Sequence, residues 1–205
     1  LRTHKLALRL LTTIAIPITV FVFFCAEPLI MILGGRDYVP GAVVALQILV
    51  LSVTIGFVNS VTHYVLIAIG QQRFLTRAFV AGVLFNLAAN LILIPRYGVP
   101  AAALTTVLSE FALFFPFYYA IRKHLAPLPW VDLLWRQLIA GLVMAATFVL
   151  VGPFSLLLAI GLAFGLYFLG LLVTRAHRAE DMQAVWSVLP VERLRRAWQS
   201  SGEGG

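Results

Sequence analysis

The residues that could do chemistry lie where polar side chains are rare. Within one long apolar stretch, Ser52, Gly56, Asn59 and His63 recur at helical spacing. At ~100° per residue they fall within about 60° of one another, a narrow stripe flanked by Ser60 and Thr62. The next apolar stretch carries Gly82, Asn86 and Asn90 at i, i+4 and i+8, and the one after it carries Ala103, Thr106 and Glu110 on one face. Amide, hydroxyl, imidazole and carboxylate groups so placed could hydrogen-bond a polar solute or an ion. Glu110 is the sharpest candidate. A carboxylate near the middle of an apolar helix costs about 2.5–3.5 kcal/mol on membrane-insertion scales, so it should face protein or a water-filled cavity. Each residue also has a structural reading. Amides and small residues fasten membrane helices together, His63 lies near a helix end where an interface position would suit it, and Glu110 could bond a neighbouring helix. Taken together, the three stripes look like the wall of a polar cavity. The residues expected to line it are Asn59, His63, Asn86, Asn90, Thr106 and Glu110. Glu27, Arg36 and Asp37 are expected at the outer mouth, where a solvated rim is the plain alternative.

The arrangements that support catalysis are missing. The sequence has no paired His/Cys metal spacing, no Gly-rich phosphate loop, and no Ser with a nearby His and Asp. No catalytic residue, metal or cofactor is therefore expected. Glu27 and Asp37, ten residues apart, form at most a weak carboxylate pair. The one cysteine, Cys25, lies in an apolar run, has no intrachain partner and reads as a small packing residue.

The elements that must hold these side chains are dictated by the solvent. Hydrophobic residues make up 61% of the chain, charged residues 11%, and the mean hydropathy is +0.99. A soluble domain carries roughly 25% charged residues, so too few charges are present to cover a water-soluble globule. A bilayer core of about 30 Å needs about 20 apolar residues per helix, and the sequence divides into six such spans, over 6–33, 40–69, 74–94, 99–121, 131–151 and 154–173. Gly34-Gly35, Gly70, Pro95 and Gly152-Pro153 are the expected stops, and Pro17 is expected to kink the first span. The first run is too long for a cleavable signal peptide, and the initial Leu1 points to a piece of a longer protein. Beyond the last span, Met182, Val185, Trp186 and Leu189 fall at helical spacing. After Pro190, Val191, Leu194 and Trp198 resume it beside Arg193, Arg195 and Arg196. These read as two short amphipathic helices lying on the membrane, or else as a floppy soluble tail.

Thirteen of the fifteen Lys and Arg residues fall on one side of the six spans, and only Arg36 and Arg96 fall on the other. By the positive-inside rule both ends face the cytoplasm. The net charge of +7 is then explained by topology and anionic lipid, with no need for nucleic acid. Tyr38, Tyr97, Trp130 and Trp135 fall at the expected interfaces.

The stretch Asn86-Leu-Ala-Ala-Asn90-Leu-Ile-Leu-Ile-Pro95-Arg-Tyr-Gly98-Val-Pro-Ala-Ala-Ala103, continuing to Thr105-Thr106 and Ser109-Glu110, resembles a pattern of the polysaccharide flippases. In that family an asparagine-rich helix leads through a "LIP-x-yG" turn to a "GAA-x-AT…E" helix. The family belongs to the multidrug/oligosaccharidyl-lipid/polysaccharide exporter superfamily. Ile16-Pro17, the outer loop Leu33-Gly34-Gly35-Arg36-Asp37-Tyr38-Val39-Pro40-Gly41-Ala42, and Ala45-Leu46-Gln47-Ile48-Leu49 are similar to further motifs of the family in the same order. Pro100 stands where the family usually has Gly or Ala. The resemblance covers about residues 6–122.

It implies an all-α integral membrane fold, a six-helix bundle forming part of a two-lobe transporter of roughly twelve to fourteen helices. Residues 1–124 would be four helices of the C-terminal lobe, 125–174 a terminal hairpin and 175–205 a cytoplasmic amphipathic tail. The implied function is translocation of a polyprenyl-pyrophosphate-linked oligosaccharide across a bacterial inner membrane by alternating access. The implied partners are membrane lipids and the N-terminal lobe of the same protein. A lipid II flippase or a drug/cation antiporter of the same superfamily is the nearer alternative. A non-catalytic part of a membrane glycosyltransferase or polymerase is the more distant one.

Overall fold

The computed structural model describes residues 2–174, so the expected amphipathic tail lies outside the described residues. Within them, seven α-helices run in order: α1 (Arg2–Phe24), α2 (Ala26–Leu33), α3 (Gly41–Ala68), α4 (Gln72–Tyr97), α5 (Val99–His124), α6 (Trp130–Val151) and α7 (Leu156–Val173), with a 3₁₀ turn over Arg36–Tyr38. Among the described residues there is no β-strand. Six of the helices, all but the eight-residue α2, are long and apolar enough to cross a membrane. Their most apolar stretches are only 11–33% buried inside the protein. So much outward-facing Leu, Ile, Val and Phe is stable only against hydrocarbon, and the chain is an all-α, multi-pass membrane protein.

Two of the expected boundaries are wrong, both at prolines. The first span is not one helix over 6–33: it breaks at Cys25, between α1 and α2. The cause is Pro28, which has no N–H to give the Phe24 carbonyl, and α1 ends at Phe24. Pro17, also without an N–H, lies inside α1, which continues past it. Pro95 does not end the third span either. Helix α4 runs on to Tyr97, because a proline two residues from a helix end removes a single bond and leaves the last turn intact. The stop is Gly98, whose φ of 66° and ψ of −146° belong to a region that is essentially Gly-only. Pro100 then falls in the first turn of α5, where a missing N–H costs nothing.

The helices do not pack in chain order. Their main contacts run α4–α5–α3–α1–α6–α7, with the α3–α5 pair the most extensive. Two apolar clusters underlie this array. One joins Leu8 of α1 to Val58, Val61 and Leu66 of α3, Leu75 and Ala78 of α4, Phe117 and Ile121 of α5, and Leu133 of α6. The other joins Ile16 of α1 and Cys25 to Ala140, Met144 and Phe148 of α6, and to Ala159, Ala163 and Tyr167 of α7. Helix α1 belongs to both. Trp130, expected only at a lipid interface, packs inward on Phe114 and Tyr118, with ring centroids 5.5 and 6.0 Å away.

Gly98 makes the turn between α4 and α5. A Cβ there would meet nothing within 4 Å, so substitution acts through backbone strain alone. Gly98→Ala is expected to cost about 1–3 kcal/mol, read as a lower unfolding midpoint in detergent with no change in oligomeric behaviour.

Candidate functional site

Helix α5 presents two adjacent polar faces, one to each neighbour. Glu110 lies on the face toward α3, halfway along α5. Opposite it, Asn59 of α3 is 5% exposed and spends its side-chain amide nitrogen entirely on that one residue. Nδ2 donates to the Glu110 backbone carbonyl at 2.8 Å and to its carboxylate Oε2 at 2.8 Å. Gly56, one turn earlier on α3, is what lets the carboxylate lie against that helix. A Cβ at 56 would sit 3.6 Å from the Glu110 carboxyl carbon, ordinary contact with a group that a longer side chain would displace.

Around this pair is a cavity of about 180 Å³, lined also by Ser60, His63, Phe79, Leu113 and Phe117. The His63 ring stands edge-on to Phe79 with centroids 5.2 Å apart and stacks on Tyr64 at 5.3 Å. The cavity mixes donors and acceptors: Ser60 brings a hydroxyl, His63 a ring N–H and Glu110 a carboxylate. Asn59 Oδ1 is buried and accepts no hydrogen bond among the described residues. With both hydrogens of Nδ2 already on Glu110, Asn59 has no donor left for the cavity, and the Glu110 carboxylate is the charged acceptor of its lining. A carboxylate beside a hydroxyl and an imidazole takes a hydroxyl, an ammonium, a proton or a cation.

The second polar face of α5 meets α4. Thr105 Oγ1 donates to Asn90 Oδ1 at 2.6 Å, Asn90 Nδ2 donates to Asn86 Oδ1 at 2.8 Å, and Asn86 Nδ2 donates to Ser109 Oγ at 2.9 Å. Ser109 Oγ in turn donates to the Thr105 carbonyl at 2.7 Å. This chain of hydrogen bonds ties two membrane helices together. Thr105 and Ser109 are not among the residues that the sequence stripes single out. Their own i, i+4 spacing, matching that of Asn86 and Asn90, is the signal that could have found them.

The structure thus brings together Asn59, His63 and Glu110, and separates them from Asn86 and Asn90 by the body of α5. Thr106 lies elsewhere again. Its hydroxyl donates to the Ala102 carbonyl at 3.0 Å, and it lines an apolar cavity of about 370 Å³ with Leu46, Leu49 and Val99. Glu27, at the start of α2, and Arg36 and Asp37, in the 3₁₀ turn, are all exposed. Among the described residues no three His, Cys, Asp or Glu side chains come close enough to hold a metal ion.

Comparison with known proteins adds a partial match. Residues 2–92 match the MatE family, a region that takes in α1 to α3 and most of α4. It includes Asn59 and His63 and stops before Glu110. A stretch of 100 residues is 32% identical to an uncharacterized membrane protein of Methanocaldococcus jannaschii, and covers 49% of this chain and 20% of that relative. The matched stretch is thus about a fifth of the relative's length.

Two sets of substitutions separate the roles of the two polar faces. Asn59→Leu removes the donor to a part-buried carboxylate and is expected to cost about 1–3 kcal/mol of stability. Asn59→Asp sets a second carboxylate against Glu110 in place of a donor, and should cost more than Asn59→Leu in the same unfolding measurement. On the α4 side, Thr105→Val and Asn90→Leu should show a coupling of about 0.6–1.7 kcal/mol in a double-mutant cycle read by unfolding in detergent.

Proposed function

We propose that this chain is part of a MatE-type transporter, a C-terminal lobe with a terminal hairpin, that moves a polyprenyl-pyrophosphate-linked oligosaccharide across a bacterial inner membrane by alternating access. MatE proteins are transporters rather than enzymes, and the match over residues 2–92 supports that class. The observation that carries the reading is the Asn59–Glu110 pair: a carboxylate, held by a buried amide, in the wall of a cavity between membrane helices. Groups of this kind are costly in hydrocarbon and mark a substrate or ion pathway. A sugar-pyrophosphate head cannot cross a bilayer unaided, because its polar groups would be left without partners. Sugar hydroxyls are donors and meet the acceptors that this pocket offers. The lipid tail stays in the membrane, and the N-terminal lobe of the same protein supplies the opposite wall.

A second reading has its own support. A carboxylate equally suits a cation, so a drug/cation antiporter of the same superfamily fits the pocket; a lipid II flippase of that superfamily is a further alternative. The experiment is complementation with the full-length protein. Glu110→Gln keeps the shape, and Asn59 can still donate to the amide oxygen, while the charge is removed. It should abolish restoration of surface polysaccharide at normal expression. Normal polysaccharide with lost resistance to cytotoxic cations would favour the antiporter, and full activity in both assays would remove Glu110 from the pathway. In the same protein, alkaline phosphatase fused after residue 37 should be active and after residue 127 inactive, as both ends in the cytoplasm require.

A further inference from the structure

Pro17 leaves a gap in the backbone of α1 that another part of the chain fills. In a helix, residue 17 would donate its N–H to the carbonyl of residue 13, but proline has none to give. An unpaired carbonyl inside a membrane is costly unless a neighbouring helix, a hydroxyl or a water satisfies it. Here the neighbour is α7. The Tyr167 hydroxyl donates to the Thr13 carbonyl at 2.8 Å, in a residue that is fully buried. Ala159, Ala163, Tyr167 and Leu171 form the buried stripe of α7 at i, i+4, i+8 and i+12, and Tyr167 is the one member with a polar side-chain atom. Its partner carbonyl is the one that Pro17 leaves free.

Helix α6 grips the same place from beside it. A Cβ at Gly141 would lie 2.6 Å from Cγ2 of Ile16, so the α6 backbone closes directly on the residue before the proline. On the far side of Pro17, α1 is bonded to α3 instead. Thr19 and Thr54 share a hydrogen bond at 3.0 Å, and Gln47 Nε2 donates to the Phe23 carbonyl at 3.2 Å. Apolar packing is shared by both halves of α1: Leu8 clusters with Val58 and Val61 of α3, while Phe21 meets Phe164 of α7 at 5.8 Å and Phe24 stacks on Phe148 of α6 at 5.2 Å. The hydrogen bonds divide at Pro17: the one before it goes to α7, and those after it go to the helix that carries Asn59.

We propose that the α6–α7 hairpin is a clasp on a proline hinge, and that Tyr167 is the positioning residue that closes it. A helix missing one rung bends most easily at that rung. The hydroxyl restores the lost bond from outside, and so fixes the angle between the two halves of α1 and the setting of α3 relative to the hairpin. Opening the clasp frees that angle without disturbing the helices themselves. The hinge works in this way whatever the protein transports.

The test is a double-mutant cycle in the full-length protein in lipid nanodiscs, read by local amide hydrogen exchange. Tyr167→Phe keeps the ring and removes the donor. It should speed exchange about three- to tenfold in residues 14–24 and 160–171, with the α4–α5 pair unchanged. In a Pro17→Ala background the new backbone N–H at position 17 takes the Thr13 carbonyl, so the same Tyr167→Phe change should then alter exchange less than about twofold. Placing 4-aminophenylalanine at position 167 restores a donor and should restore protection, an arm that stands even if the Pro17→Ala protein does not assemble. An unchanged exchange rate in Tyr167→Phe, an equal effect in both backgrounds, or no rescue by the amine would overturn the clasp.

Discussion

Inside a bilayer no water is at hand to satisfy a polar group, so each one needs a partner from the protein. That constraint organises this chain more than apolar packing does. Apolar side chains gain little by leaving lipid for another helix. The helices are instead pinned where polar atoms must meet: Thr19 with Thr54 between α1 and α3, Asn59 with Glu110 between α3 and α5, Thr105, Asn90, Asn86 and Ser109 between α5 and α4, and Tyr167 with Thr13 between α7 and α1. The first three sets join consecutive members of the array, and the last ties its far end back to α1. Helix α6 is held differently, by the short turn after Val151 that closes it on α7 and by the close approach of Gly141 to Ile16.

Helix α5 serves two neighbours because its polar residues come in adjacent pairs. Thr105 and Thr106, and Ser109 and Glu110, are consecutive in sequence and therefore about 100° apart around the axis. Thr105 and Ser109 turn to α4, and Glu110 turns to α3. The same four-residue spacing thus serves two purposes. Toward α4 the network is closed, with each donor just described meeting an acceptor, as suits a permanent joint. Toward α3 it is open: Asn59 has no hydrogen left to give and an oxygen with nothing to accept among the described residues.

Most of the fold is legible in the sequence, because span length and apolar runs are physical requirements of a bilayer. Six spans are where hydropathy puts them, and α3, α6 and α7 end within two residues of the expected limits. The differences arise at prolines, which are poor punctuation inside a membrane. Proline removes one particular bond, to the residue four back, and its effect depends on whether another donor is available. At Pro28 the helix breaks at the carbonyl left free. At Pro17 the freed carbonyl of Thr13 is taken by a tyrosine 154 residues further along the chain, a long-range fact that no local pattern carries. The site is legible in part for a similar reason. Stripes of polar residues show which face of a helix is polar, but not which neighbour that face meets. Asn86 and Asn90 look no different from Asn59 in sequence; only the packing order separates the closed joint from the open pocket.

That difference distinguishes a permanent joint from an unfilled contact in such a bundle. A polar group whose bonds are all made within the protein lowers the energy of one arrangement and resists change. A buried group left with an unmet acceptor raises it, and is tolerated only where something else completes the bond. By this measure the stripes are unequal: the pair on the α4 side holds the scaffold, while Asn59 and Glu110 keep hydrogen-bonding capacity in reserve at the middle of the span. Gly56 reinforces the distinction, because a small residue there keeps α3 close to the carboxylate without filling the space beside it. The α4–α5 joint closes its chain of bonds, and the α3–α5 contact leaves the Asn59 oxygen unmet among the described residues.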